Sequence, residues 1–154
     1  MSFSLKDSGR GKDPFKNLPR GRVVSVGIHE AEGAEPHKGT TGATVAEIGG
    51  FHEFGFGVPR RSFIADWFDQ SLEQNRKTLF KICQPAVRNP EYLDTALTRF
   101  AAWAVGQVQA RIAAGIEPPL APSTLRQKAR HGHAKETPLI DTGQLRSSIR
   151  GKVT

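Results

Sequence analysis

Asn89-Pro90-Glu91-Tyr92-Leu93-Asp94-Thr95-Ala96-Leu97-Thr98-Arg99-Phe100 opens a segment that runs through Trp103, Ala104, Val108 and Ile112 to Gly115. Its reading decides the fold. Asn89 is a good N-cap residue. Pro90 suits the first helical position, where a missing N–H costs nothing, and Glu91 complements the helix dipole. Leu93, Leu97, Phe100, Ala104, Val108 and Ile112 recur at helical spacing, so one long stripe must be buried. Gly115 ends the helix. Trp103 lies off this stripe and is expected to serve a second contact surface.

Working upstream, Ser62 is expected to cap a helix carrying Asp66 in its first turn. Ile64, Phe68, Leu72, Leu79 and Ile82 form its apolar stripe. Arg76, Lys77 and Lys81 sit near its C-terminus, with Pro85 beyond the end. Before it, Thr44 to Phe54 reads as a shorter helix. Thr44 and Glu47 have capping-box spacing, and Val45, Ile48, Phe51 and Phe54 fall roughly on one side. Gly49 and Gly50 weaken this helix but allow close backbone packing. Gly55 stops it, and Phe56 to Arg61 forms a turn. Residues 29–43 read as a loop rich in Gly, Glu and His. Val23 to Ile28 is a strand, because Val24, Val26 and Ile28 alternate with Ser25 and Gly27.

Downstream, two proline-rich breaks flank a short basic helix over Ser123–Arg130. In the segment Pro138-Leu139-Ile140-Asp141-Thr142-Gly143-Gln144-Leu145, Asp141 and Gln144 have the spacing of a reciprocal cap. Ile140 and Leu145 are placed as a hydrophobic staple. Leu145 and Ile149 are expected to continue the apolar face of the helix that follows.

The 154 residues suit one domain, read here as 23–154, preceded by a basic arm over 1–22. The arm holds Lys6, Arg10, Lys12, Lys16, Arg20 and Arg22, with too few apolar residues to order itself. The net charge of +7 calls for an anionic neighbour, nucleic acid above all. The arm is therefore expected to reach either DNA or an acidic protein surface. Arg60-Arg61 and the run Arg126, Lys128, Arg130, Lys135 can equally track phosphates or form a solvated face. No apolar run reaches the roughly 20 residues that span a bilayer, so no membrane is expected. The N-terminus lacks the apolar stretch of a signal peptide, and the single Cys83 suits a reducing cytosol, where the chain is expected to be made.

Catalytic and metal chemistry is thinly supported. His52-Glu53 lacks the second histidine of a His-Glu-x-x-His zinc helix, and Glu53 is expected to pair with Arg60 or Arg61. His131 and His133 have no third ligand nearby in sequence. Gly55-Phe56-Gly57 lacks the rest of a phosphate-loop pattern, and Ser147-Ser148 lacks a nucleophile-elbow context. Cys83 reads as a small buried hydrophobe. The expectation is no enzyme and no cofactor.

Two segments resemble those of a known group. Val45-Ala46-Glu47-Ile48-Gly49-Gly50-Phe51-His52-Glu53-Phe54-Gly55 is followed by Val58-Pro59-Arg60-Arg61-Ser62-Phe63-Ile64. Later comes Pro138-Leu139-Ile140-Asp141-Thr142-Gly143-Gln144-Leu145-Arg146-Ser147-Ser148-Ile149. In order and spacing they are similar to signature stretches of tailed-phage virion-morphogenesis families: neck, head–tail joining and tail-completion proteins, including the Mu G-like group. Pro119-Leu120 and Pro122-Ser123-Thr124-Leu125 resemble the linker between them. The resemblance covers most of residues 44–150. It implies an α+β fold, with a small antiparallel sheet packed with long helices, in a subunit that forms a ring, a hexamer by expectation. It implies a place in the virion at the neck or tail top, no catalysis, and as partners the connector or stopper, the tail terminator, the tail tube and the phage DNA. Glu53, Phe54, Gly55, Pro59, Arg60, Phe63, Asp141, Thr142, Gly143, Leu145 and Ile149 become the candidate assembly and packing residues. The alternative is a basic nucleic-acid-binding module acting alone.

Overall fold

A computed structural model describes residues 20–38, 42–130 and 137–154. In chain order the elements are β1 (Val24–Ile28), α1 (Glu30–Gly33), α2 (Val45–Phe54), α3 (Ala65–Gln70), α4 (Leu72–Arg88), α5 (Leu93–Ala114), α6 (Pro122–Arg130), α7 (Gln144–Ser147) and β2 (Ile149–Val153). The fold is α+β: mostly helical, with one two-stranded antiparallel sheet. Among the described residues, no helix is long and apolar enough to cross a membrane.

The central helix α5 forms much as its sequence dictates. The Asn89 side chain accepts from Glu91 N–H at 3.2 Å, and Pro90 opens a 3-10 turn that leads into α5. Leu93, Leu97, Ala104, Val108 and Ile112 are all buried. Trp103 is not a second contact surface. It is half-buried and packs on the chain's own core, 6.4 Å from the Trp67 ring and 5.5 Å from Phe100.

Helix α2 also matches its signals. Thr44 and Glu47 form both halves of a capping box, and Gly55 terminates the helix at φ 81°. The two interior glycines differ. A Cβ on Gly49 would come within 2.7 Å of Ile28 and 3.4 Å of Leu145, whereas one on Gly50 would meet nothing within 4 Å. Only Gly49 brings the helix against β1 and the C-terminal segment.

Four expectations fail. First, the helix expected after Ser62 is two helices, broken at Ser71, and Pro85 lies inside α4 rather than beyond it. Proline falls in the last turn, where it removes one bond, and the chain goes on to Arg88 before Asn89 N–H closes on Pro85 C=O. Second, the expected stripe does not all face inward. Ile64, Leu79 and Ile82 pack on the core, but Phe68 and Leu72 stay exposed. Third, residues 29–43 are not all loop, because α1 lies within them. Fourth, Ile149 does not extend a helix. α7 is a single turn, and Ile149 begins β2, which pairs with β1 from Ile28↔Ile149 to Val24↔Val153.

Two clusters make the core. Val45, Phe63, Trp67, Ala104, Val108, Ile112, Ile140, Leu145 and Ile149 form the larger one. Cys83, Ala86, Leu93, Ala96 and Leu97 form the second. Burial pushes the Cys83 thiol pKa up, as suits a small hydrophobe.

Candidate functional site

The first signature segment folds around Glu53. Its carboxylate is buried and does not pair with Arg60 or Arg61. It accepts from Ser62 Oγ (2.7 Å) and from the N–H groups of Phe63 (2.9 Å), Ile64 (3.2 Å) and Ala65 (2.8 Å). Glu53 therefore caps α3 from another helix, satisfying N–H groups that no intrahelical carbonyl can reach. Ser62 is not the N-cap. Its hydroxyl relays the arrangement, donating to Glu53 and accepting from Asp66 N–H at 3.0 Å. Gly55 is required at its turn: besides its positive φ, a Cβ there would lie 3.0 Å from the Arg60 Cβ.

The two arginines diverge. Arg60 is exposed and pairs with Asp66 at 2.6 Å, holding that carboxyl below the usual range. Arg61 is buried and donates to the carbonyls of Pro118 (2.7 Å) and Pro119 (3.0 Å). This ties the first segment to the linker that leads into α6. Pro59 is exposed, Phe54 is 65% exposed, and Phe63 is 1% exposed.

The second segment uses other contacts than those its spacing suggests. Asp141 does not cap α7. The N-cap is Gly143 at φ 80°, with no side-chain capping bond, and Gln144 N–H is met by Thr142 Oγ1 at 3.3 Å. Gln144 reaches instead to the α1–α2 connection, accepting from Lys38 N–H at 2.7 Å and donating to Pro36 C=O at 3.0 Å. Lys128 of α6 donates to Ile140 C=O. Burial lowers its pKa, and the nearby Asp141 carboxylate opposes that shift. Leu145 and Ile149 anchor the segment in the core, and the Ser147 and Ser148 hydroxyls both donate to Gln144 C=O at 2.9 Å.

The two segments, some ninety residues apart, share one groove of about 690 Å³. Ile48, His52 and Val58 form one wall. Residues 139–145 form the other, including Asp141, Thr142, Gly143 and Leu145. Leu120, Thr124 and Lys128 of the linker and α6 complete it. His37 and His52 both line it, each with a buried Nδ1 that has no hydrogen-bond partner. Burial, then Arg61 and His37, hold His52 below its ordinary pKa of 6.5. The walls are largely apolar, and their polar groups are turned to backbone carbonyls. Such a groove suits holding a peptide segment better than moving a proton. Among the described residues, no cluster of three or more His, Cys, Asp or Glu is placed to hold a metal.

Glu53, Gly55, Phe63, Leu145 and Ile149 thus build the scaffold behind the groove, Asp141, Thr142 and Gly143 line it, and Phe54, Pro59 and Arg60 lie on the surface. His37 and Arg61 were missed as site residues, because only the folded chain sets them beside these segments. Of the expected charge contacts, Arg20 is exposed, but Arg22 is paired with Asp94 at 2.8 Å. Lys6, Arg10, Lys12 and Lys16, like Lys135, His131 and His133, lie outside the described residues. No family model, no curated protein and no solved structure matches this chain.

Proposed function

We propose that this protein is a structural subunit of a tailed-phage virion, acting at the neck or tail top, where it forms a ring that helps join the tail to the DNA-filled head. The observation that carries the reading is the groove. The two segments that resemble the virion-morphogenesis families, and the linker between them, are remote in sequence yet line one surface feature. Their polar residues serve backbone carbonyls and helix ends, which supports an assembly role over a catalytic one. A net charge of +7 suits a ring near a DNA path, with the arm over 1–22 as the contact to DNA or to an acidic neighbouring protein.

The test is made on particles. Proteomics of purified virions should find the protein at a few copies each, and disruption of its gene should leave filled heads and finished tails that fail to join. Normal infectious particles without the protein would refute the reading. A free monomer whose DNA affinity falls log-linearly with salt, with no place in the particle, would favour the lone nucleic-acid-binding module.

A further inference from the structure

The surface carries two apolar faces of opposite charge. The first lies on α2 and the turn after it. Phe51, Phe54 and Phe56 are 38%, 65% and 65% exposed, and the Phe54 and Phe56 rings sit 5.7 Å apart. Glu47 is exposed one helical turn before Phe51, and Glu30 and Glu35 are exposed on and beside the adjoining α1. The second face runs along α3 and α4. Phe68, Leu72 and Phe80 are 52%, 43% and 58% exposed, and Arg76, Lys77 and Lys81 are exposed among them. The sequence marks Phe68 and Leu72 as core residues, yet α5 and the sheet leave them outside. Exposed aromatic clusters of this kind mark interaction surfaces.

We propose that copies of this chain associate head to tail, the acidic aromatic face of α2 in one copy packing on the basic aromatic face of α3–α4 in the next. Charge complementarity selects this occupant. Pairing either face with itself would set Glu47 against Glu47, or the Arg76, Lys77 and Lys81 cluster against its own copy. Pairing the two unlike faces buries aromatic surface between matched charges. Two different faces on one chain make a heterologous contact, which closes into a ring when the rotation between copies allows. Duplex DNA fits the second face less well, because two phenylalanines and a leucine offer nothing to phosphates. The inference rests on the assembly reading above and names the surfaces that would carry it.

The experiment uses the full chain with Phe54→Asp and Phe80→Asp, read by sedimentation velocity and native mass spectrometry. Phe54→Ser and Phe80→Ser serve as milder versions, and far-UV circular dichroism checks folding. Each variant alone should lose the oligomer, with affinity at least about thirtyfold weaker, as for a buried aromatic anchor. An equimolar mixture should restore a dimer of one copy each and nothing larger, because only one intact pair of faces remains. Two defective variants that do not rescue each other would indicate a self-paired interface and overturn the proposal. An oligomer untouched by both substitutions would overturn it while leaving the ring reading intact. Wild-type protein that is monomeric under all conditions would overturn both. Loss of binding to a short labelled duplex in Phe80→Asp, with assembly unchanged, would assign that face to nucleic acid and also overturn it.

Discussion

Replacing Glu53 by alanine removes one carboxylate and strands four donors. Ser62 Oγ and Phe63 N–H belong to residues only 1% exposed, so water cannot replace the lost acceptor. Each such donor costs about 1–3 kcal/mol when left unsatisfied. Ile64 is half-buried and Ala65 is exposed, so their N–H groups can turn to water and together add less than about 1 kcal/mol. The sum is a loss of roughly 4 kcal/mol, or on the order of 10 °C in Tm for a chain of this size. Glu53→Gln keeps the shape and one of the two oxygens, and should lose about half as much. Arg60→Ala is the control. Arg60 is exposed and its pair with Asp66 is of the surface kind, worth less than about 1 kcal/mol. The assay is urea unfolding of the full chain followed by far-UV circular dichroism. A loss below about 1 kcal/mol for Glu53→Ala, or an equal loss for Arg60→Ala, would refute the idea that this carboxylate holds the two helices together.

The paired glycines should respond in opposite directions: Gly49→Ala should destabilise by about 1–3 kcal/mol because its Cβ would overlap Ile28, and Gly50→Ala should stabilise by about 0.5–1 kcal/mol, both read as urea midpoints. Asp141→Ala should act through Lys128 rather than through a helix cap, so its effect should vanish in a Lys128→Met background, as a double-mutant cycle measures. The His52 pKa lies below 6.5 in the folded chain, so the fold favours neutral imidazole: stability is full above about pH 6.5 and falls as pH drops through the folded value. Thermal unfolding between pH 8 and 5 should show that fall in the wild type and a smaller one in His52→Gln.

Where a signal is local, the sequence reveals it. Thr44 and Glu47 meet within one turn, and Asn89-Pro90 sets the start of α5 from three adjacent residues. Elements decided by distant contacts are hidden. β2 is short and basic, and its inward positions are Ile149, Gly151 and Val153. Gly151 interrupts the alternation because a Cβ there would lie 2.8 Å from Ala101. The break at Ser71 and the exposure of Phe68 depend on how α3 is held by Glu53, a contact spanning nine to twelve residues that no capping rule covers. The groove was half legible. The segments were visible, but Gln144 turns to Pro36 and Lys38 instead of toward Asp141, over more than a hundred residues.

The pairing of β1 with β2 bears on when the chain becomes competent to act. Contacts among α2, the turn and α3 are short in sequence and form early, since closing a small loop costs little entropy. The sheet instead joins Val24 to Val153. During synthesis β1 therefore waits for almost every other residue, and Ile149 cannot seal the larger core cluster until it arrives. A truncated or stalled product would keep its helices yet leave β1 an open edge, and with it a core that has not closed. Assembly is thereby reserved for finished chains: the strand made early is locked by the strand made late.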